Sequence, residues 1–150
     1  MRAVIQRVLE SQVSINGQLH TGIKNGLLIF IGIEDSDSAN DIDYLAKKIC
    51  NLRIFSDPDG KMNRNIIDTE GEILVISQFT LHAKTKKGNR PSFIKAAKPE
   101  YAEPVYKDFC SELETLLQKP IQTGEFGADM KVSLTNDGPV TILVDSKDKQ

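Results

Sequence analysis

Along the first nine positions Val4, Gln6 and Val8 alternate with Ile5, Arg7 and Leu9, so the pattern predicts a strand over 1–9 with both faces partly covered. Val13 and Ile15 alternate next, and Asn16-Gly17 supplies a hairpin turn. Asn25-Gly26 repeats that signal. Residues 27–33, LLIFIGI, are an unbroken apolar run, which predicts a central strand. Ile42, Leu45, Ala46 and Ile49 then recur at helical spacing, and Ser38 with Asp41 three residues on fits a capping box. A helix is expected over 39–51.

The second half repeats the theme. Asp57-Pro58-Asp59-Gly60 is a turn, and EILVIS at 72–77 is another buried strand, running into QFTLHA. Residues 84–98 show no clean period and read as a loop, long enough to carry function. Pro99 opens a helix over 99–118, with Val105, Phe109, Leu113, Leu116 and Leu117 on its inner face, and Pro120 stops it. Met130, Val132 and Leu134 form a strand, Asn136-Asp137-Gly138-Pro139 reads as a stiff turn, and a last strand returns over 140–145. The tail 146–150 is expected to fray. The order β-β-β-α-β-α-β-β predicts an α/β protein of the α+β type. Its sheet is mostly antiparallel, curled or barrel-like, with two helices packed on it, in one domain over 1–150.

Composition changes this picture little. With 150 residues, 39% hydrophobic and 27% charged, the chain can bury one core. No apolar run is long enough to span a bilayer, and no signal peptide is evident, so no membrane partner and a cytoplasmic location are expected. Cys50 and Cys110 sit on helical segments without zinc-ligand spacing, so two buried thiols are expected and neither metal nor cofactor. Charge matters more by place than by sum. The net charge is −2, yet residues 84–98 hold six bases and no acid, while 34–43 hold five acids and no base. Lys84, Lys86, Lys87 and Arg90 could hold a phosphate backbone by counterion release.

Polar residues at the end of a buried strand are the first place to look for chemistry. Ser77, Gln78, Phe79 and Thr80 follow EILVI directly. Were the strand unbroken, Thr80 and His82 would share a face, the only local hydroxyl–imidazole pair, but no third group to orient His82 is evident. A triad is thus poorly supported. No phosphate-binding glycine pattern is present.

SQFT at 77–80 and NDGPVT at 136–141, with MRAVIQRV at the start and LLIFIGI at 27–33, together resemble the D-aminoacyl-tRNA deacylases over essentially the whole chain. Members of that family remove D-amino acids mischarged onto tRNA, and glycine misattached to the tRNA for alanine. The resemblance implies a homodimer with active sites at the subunit interface. It implies a cis Gly138-Pro139 that reaches into the partner's pocket and rejects L side chains, with Asn136, Val140 and Thr141 completing the motif. Arg7 would brace that turn and Met130 would line the pocket wall. Ser77, Gln78, Phe79 and Thr80 would hold the terminal adenosine and the aminoacyl carbonyl, with backbone N–H groups stabilising the oxyanion. The tRNA 2′-hydroxyl would assist water, or else Thr80 would attack directly. A non-catalytic tRNA-binding dimer and a purely structural dimer stand as the other readings of the same residues.

Overall fold

β1 (Arg2–Ile15) organises the sheet of the computed structural model, which describes residues 1–149. It runs past the predicted end at Leu9 because each stretch of it finds a partner. The hairpin partner β2 (Gln18–Ile23) pairs antiparallel with Ser11–Ile15, across a turn in which Asn16 and Gly17 both have positive φ. That is the backbone twist two antiparallel strands need. β3 (Gly26–Gly32) takes the same edge of β1 further down, along Arg2–Val8.

Asn25-Gly26 is therefore not a reversal. β2 and β3 both run antiparallel to β1, so the chain bends there and continues in one direction. α1 (Ala39–Asn51) follows, with the Asp41 carboxylate accepting from both the Ser38 N–H at 2.8 Å and the Ser38 hydroxyl at 3.0 Å. β4 (Phe55–Ser56) and β5 (Met62–Arg64) form a small hairpin whose Asp57 side chain accepts from the Asp59 and Lys61 N–H groups. β6 (Glu72–Ser77) lies parallel to β3. α2 (Pro99–Leu117) packs beside α1, and β7 (Gln122–Thr123) lies parallel to β6.

β8 (Lys131–Asp145) corrects a second expected turn. It is one strand of 15 residues, antiparallel to β1 along its whole length. Both halves run the same way, so Asn136–Pro139 does not reverse the chain. Asn136 pairs with Val8 and Thr141 with Gln6, leaving residues 137–140 opposite Arg7 alone. The extra residues are pushed out of the ladder as a bulge, and the strand bends there.

The sheet order β2-β1-β3-β6-β7 curls until its ends approach, and the Thr21 hydroxyl of β2 donates to the Gln122 side chain of β7 at 2.5 Å. The result is a mixed, nearly closed barrel with two helices outside it, as expected. Both faces of β3 are covered, which explains its continuous apolar run. Leu27, Ile29 and Ile31 join the core shared with Leu45, Ile49, Phe109 and Leu113 of the helices. Leu28 packs inside the barrel with Val8, Val13, Ile23, Leu74 and Ile76. Each such aliphatic side chain contributes about 1.5–3 kcal/mol on burial. Cys50 and Cys110 are buried free thiols, pushed by burial to about 11 and about 12 respectively.

The tail also departs from expectation. Ser146 is buried, and its hydroxyl donates to Asp41 at 2.6 Å while accepting from the N-terminal ammonium of Met1 at 2.9 Å. That ammonium meets Asp37 at 2.5 Å, and Lys147 meets Asp41 at 2.9 Å. Much of the acidic run 34–43 is thus spent on internal pairing. Residues 146–149 are docked rather than frayed, and Gln150 lies outside the described residues.

Candidate active site

β6 ends at Ser77, and the chain then tightens into a 3₁₀ turn over Phe79–His82. The Gln78 N–H still donates to Ile31 at 2.8 Å, which anchors the turn to the end of β3. Neither the Phe79 nor the Thr80 N–H has an acceptor among the described residues. This is the ordinary state of the first donors of a helical turn.

The tightening undoes the Thr80–His82 pair expected of an unbroken strand. The Thr80 hydroxyl accepts from the Gln78 side chain at 2.6 Å. His82 is buried, and neither of its ring nitrogens has a hydrogen-bond partner among the described residues. Thr80 therefore has no base beside it.

Ser77, Gln78 and Phe79 form one wall of a cleft of about 580 Å³. That volume suits a small ligand, not a macromolecule. Ile33, Ile76, Met130 and Phe126 line it too, together with Pro99 and Ala102 of α2. Met130 can lean in because Gly124 has no side chain; a Cβ there would lie 2.6 Å from the Met130 sulfur. Phe126 is held against Tyr106, whose hydroxyl donates to the Val75 carbonyl at 3.0 Å. Burial and the neighbouring Cys110 push that phenol well above its usual range.

The basic stretch adjoins the cleft through Phe93, Ala96 and Ala97, which line it, whereas Lys84, Lys86, Lys87 and Arg90 do not. Lys84 and Ser92 exchange backbone hydrogen bonds at 2.8 and 3.0 Å, closing residues 85–91 into a projecting hairpin-like loop. Lys84, Lys86, Lys87 and Arg90 are all exposed on it. Phe93 follows immediately and meets Phe79 edge to face, with ring centroids 5.2 Å apart. The Ala97 N–H donates to Ile33 at 2.9 Å, seating this segment on the end of β3. Phe93, Phe126 and Asp129 are lining residues that the sequence reading missed. Phe93 had a signal, as the one aromatic within the basic stretch; Phe126 and Asp129 had none.

Gly138 and Pro139 do not line this cleft, and neither do Arg7, Asn136, Val140 or Thr141. They form a separate structure. Residues 137–140 project from the ladder, with Gly138 and Pro139 exposed and their peptide bond cis. Two side chains close the loop from behind. The Asn136 amide oxygen accepts from the Val140 N–H at 2.7 Å, and its nitrogen donates to the Val140 carbonyl at 3.1 Å. The buried Arg7 guanidinium donates to the Asp137 carbonyl at 2.9 Å and to the Ile54 carbonyl at 2.5 Å. Gln6 and Asn136 both donate to the Thr141 hydroxyl at 3.2 Å. Arg7, the residue that the family resemblance sets behind this turn, thus bonds to its first residue, Asp137.

A family model described as D-Tyr-tRNA(Tyr) deacylase matches residues 4–145, which takes in the cleft wall, the basic loop and the projecting loop together. The chain belongs to that family. Membership makes it a hydrolase of the ester bond that joins an amino acid to tRNA. A relative from Parabacteroides distasonis, named D-aminoacyl-tRNA deacylase, is 61% identical over all of both chains. A solved structure titled c-Myc DNA Unwinding Element Binding Protein is 39% identical, covers 97% of this chain and 98% of its own, and superposes with a TM-score of 0.93. A second, of a probable eukaryotic D-amino acid tRNA deacylase, is 17% identical with a TM-score of 0.80 over 95% of this chain and 97% of its own, and shares the fold. Among the described residues of this deacylase-family chain, no helix is long and apolar enough to cross a membrane.

Proposed function

We propose that the chain proofreads the chirality of aminoacyl-tRNA as a homodimer, each cleft being completed by the Gly138-Pro139 loop of the other subunit. The observation that carries this reading is that the loop is braced to project, yet lies away from its own chain's cleft. In the proposed complex the 3′-terminal adenosine and aminoacyl group enter the cleft beside Ser77, Gln78 and Phe79. Met130 borders the aminoacyl group, and Lys84, Lys86, Lys87 and Arg90 hold the RNA outside.

The chemistry needs little from side chains. Water attacks the ester carbonyl, assisted by the neighbouring 2′-hydroxyl of the RNA. The acyl C–O bond breaks, and the 3′-oxygen leaves with a proton. The free N–H groups of Phe79 and Thr80 are the proposed donors to the oxyanion. Selection is steric. The backbone of the loop faces the α-carbon, where an L side chain collides, a D side chain points away, and glycine offers nothing to reject. Glycine on the tRNA for alanine is thus a substrate too. Excluding one enantiomer a thousandfold takes about 4 kcal/mol, within reach of a clash with a loop held from behind. The proposed place of action is the cytoplasm, and no cofactor enters the scheme.

The test is hydrolysis of D-Tyr-tRNA and L-Tyr-tRNA side by side, by the wild type and by Thr80→Ala. Loss of the D ester alone, retained in Thr80→Ala, is the expected result. Loss of activity in a folded Thr80→Ala protein would return the hydroxyl to a direct role. A wild type that leaves both esters intact would overturn the assignment. Sedimentation of the same samples checks the dimer.

A further inference from the structure

A second concentration of positive charge lies away from the cleft. Lys47 and Lys48 near the end of α1, Arg53 just beyond it and Lys149 from the tail line one shallow depression around Tyr44. Its one acid, Asp43, is already paired with Lys47 at 2.6 Å. Lys48 and Lys149 meet no carboxylate among the described residues. Their ammonium groups lie 5.8 and 4.3 Å from the centroid of the Tyr44 ring. Arg53 is aimed by a neutral partner: its guanidinium donates to the Asn63 carbonyl and side chain at 3.0 and 3.1 Å. Its charge is therefore oriented but not cancelled.

The helix dipole accounts for lysines at the end of α1. It does not account for Arg53, which lies past the helix, or for Lys149, which arrives from the far end of the chain. Lys149 is brought there by the docking of Ser146 and Lys147 on Asp41. Tyr44, Lys48 and Lys149 also border a neighbouring depression that holds Asp145, paired with Arg2, and Asp148. Against Asp43 and Asp148, the four cations still leave a positive local excess in a chain of net charge −2, and such a field favours a polyanion. Position points to which one. Ile54, next to Arg53, accepts the Arg7 guanidinium that also holds the base of the projecting Gly138-Pro139 loop. The depression thus begins where that loop leaves the body of the protein.

We propose that Lys48, Arg53 and Lys149 form a second contact for the phosphodiester backbone of the tRNA substrate, separate from the basic loop 84–98. The proposal rests on the deacylase reading above. With the loop of one subunit seated in the other's cleft, this surface flanks the cleft from which the RNA emerges. The contact reads charge alone, so it adds affinity without adding sequence or chirality preference.

The variant is Lys48→Gln with Lys149→Gln, two exposed changes outside the cleft. Its control is Lys24→Gln with Lys107→Gln, which alters net charge equally on other faces. Two readouts are used: Kd for uncharged tRNA across a salt series, and hydrolysis of D-Tyr-tRNA against D-Tyr-adenosine. The expected result is a rise in Kd and KM for tRNA of about three- to tenfold at low salt, with the salt slope reduced by about one to two. Turnover of D-Tyr-adenosine stays at the wild-type value, and the control pair moves tRNA binding less. Unchanged tRNA binding, an equal effect in the control pair, or an equal loss on D-Tyr-adenosine would each overturn the proposal. A wild type that binds tRNA but hydrolyses neither ester defeats the deacylase reading, while the binding series still decides the surface.

Discussion

Arg7 and Asn136 show how few side chains it takes to hold a projecting loop. Only an amide could serve at Asn136, because the Val140 N–H needs an acceptor and the Val140 carbonyl needs a donor. Arg7 satisfies two buried-side carbonyls with one planar group. Gly138 sits between them at φ +143°, and a Cβ there would lie 2.8 Å from Val140 Cγ2 and 3.2 Å from the Arg7 guanidinium. Gly138→Ala is therefore expected to lower hydrolysis of D-Tyr-tRNA at least tenfold, about 1.4 kcal/mol or more, without unfolding the chain. Rates and a thermal melt on one sample check both halves. Arg7→Ala removes the brace and leaves the Ile54 and Asp137 carbonyls short of a donor. Its expected signature is a fall in the D-over-L rate ratio together with about 1–3 kcal/mol of lost stability in a denaturant titration. At this scale the motif residues were legible from the chain alone, whereas the Thr80–His82 pair was not. Alternation places those two on one face only if the strand continues, and it stops at Ser77.

Elements followed their periodicity closely, and both helices and the strands at 27–33 and 72–77 lie where the apolar spacing places them. The turn signals fared differently. Asn16-Gly17 reverses the chain, but Asn25-Gly26 and Asn136–Pro139 do not, because the strands on either side of each share β1 as their partner. A turn-forming composition permits a reversal; pairing decides whether it happens. The docked tail is another matter of partners. Burial opposes ionisation of Asp41, but hydrogen bonds from Ser146, Lys147 and Ser38 outweigh it and hold the carboxyl well below its ordinary value of 3.8. A carboxyl lowered on folding stabilises the native state above its unfolded value, and that contribution drains away as pH falls through the folded one. The melting temperature should therefore hold at neutral pH and fall below about pH 4. In Asp41→Asn it should start lower at pH 7 and depend less on pH in the acid range. Asp145, also lowered, with burial opposing and the Arg2 hydrogen bond favouring the charged form, keeps some acid sensitivity in that variant. Melts from pH 7 to pH 2 read this directly.

For the whole molecule, the proposed function divides by place. The Gly138-Pro139 loop and the four cations at 84–90 all lie outside the residues that line the cleft, so in that proposal charge contacts and chirality can be varied separately. Lys86→Ala is expected to raise KM for D-Tyr-tRNA and reduce its salt slope by about 0.7–1, with the D-over-L ratio unchanged. A shift in that ratio would mean that the basic loop shapes the pocket as well as holding the RNA.

Sequence by itself determined the element types, the alternation of covered faces, the family motifs and the place of excess positive charge. These are local properties, set by side-chain period, turn chemistry and composition. The tertiary structure alone decided that β1 serves three partners, that the 136–139 segment bulges instead of turning, and that Phe93 and Phe126 stand with Ser77 and Met130 around one cleft. It also decided that the acidic run faces the amino terminus and the tail. Each of these depends on which distant segments satisfy the same backbone or charged groups. That competition is settled by packing across the chain, and no local window contains it.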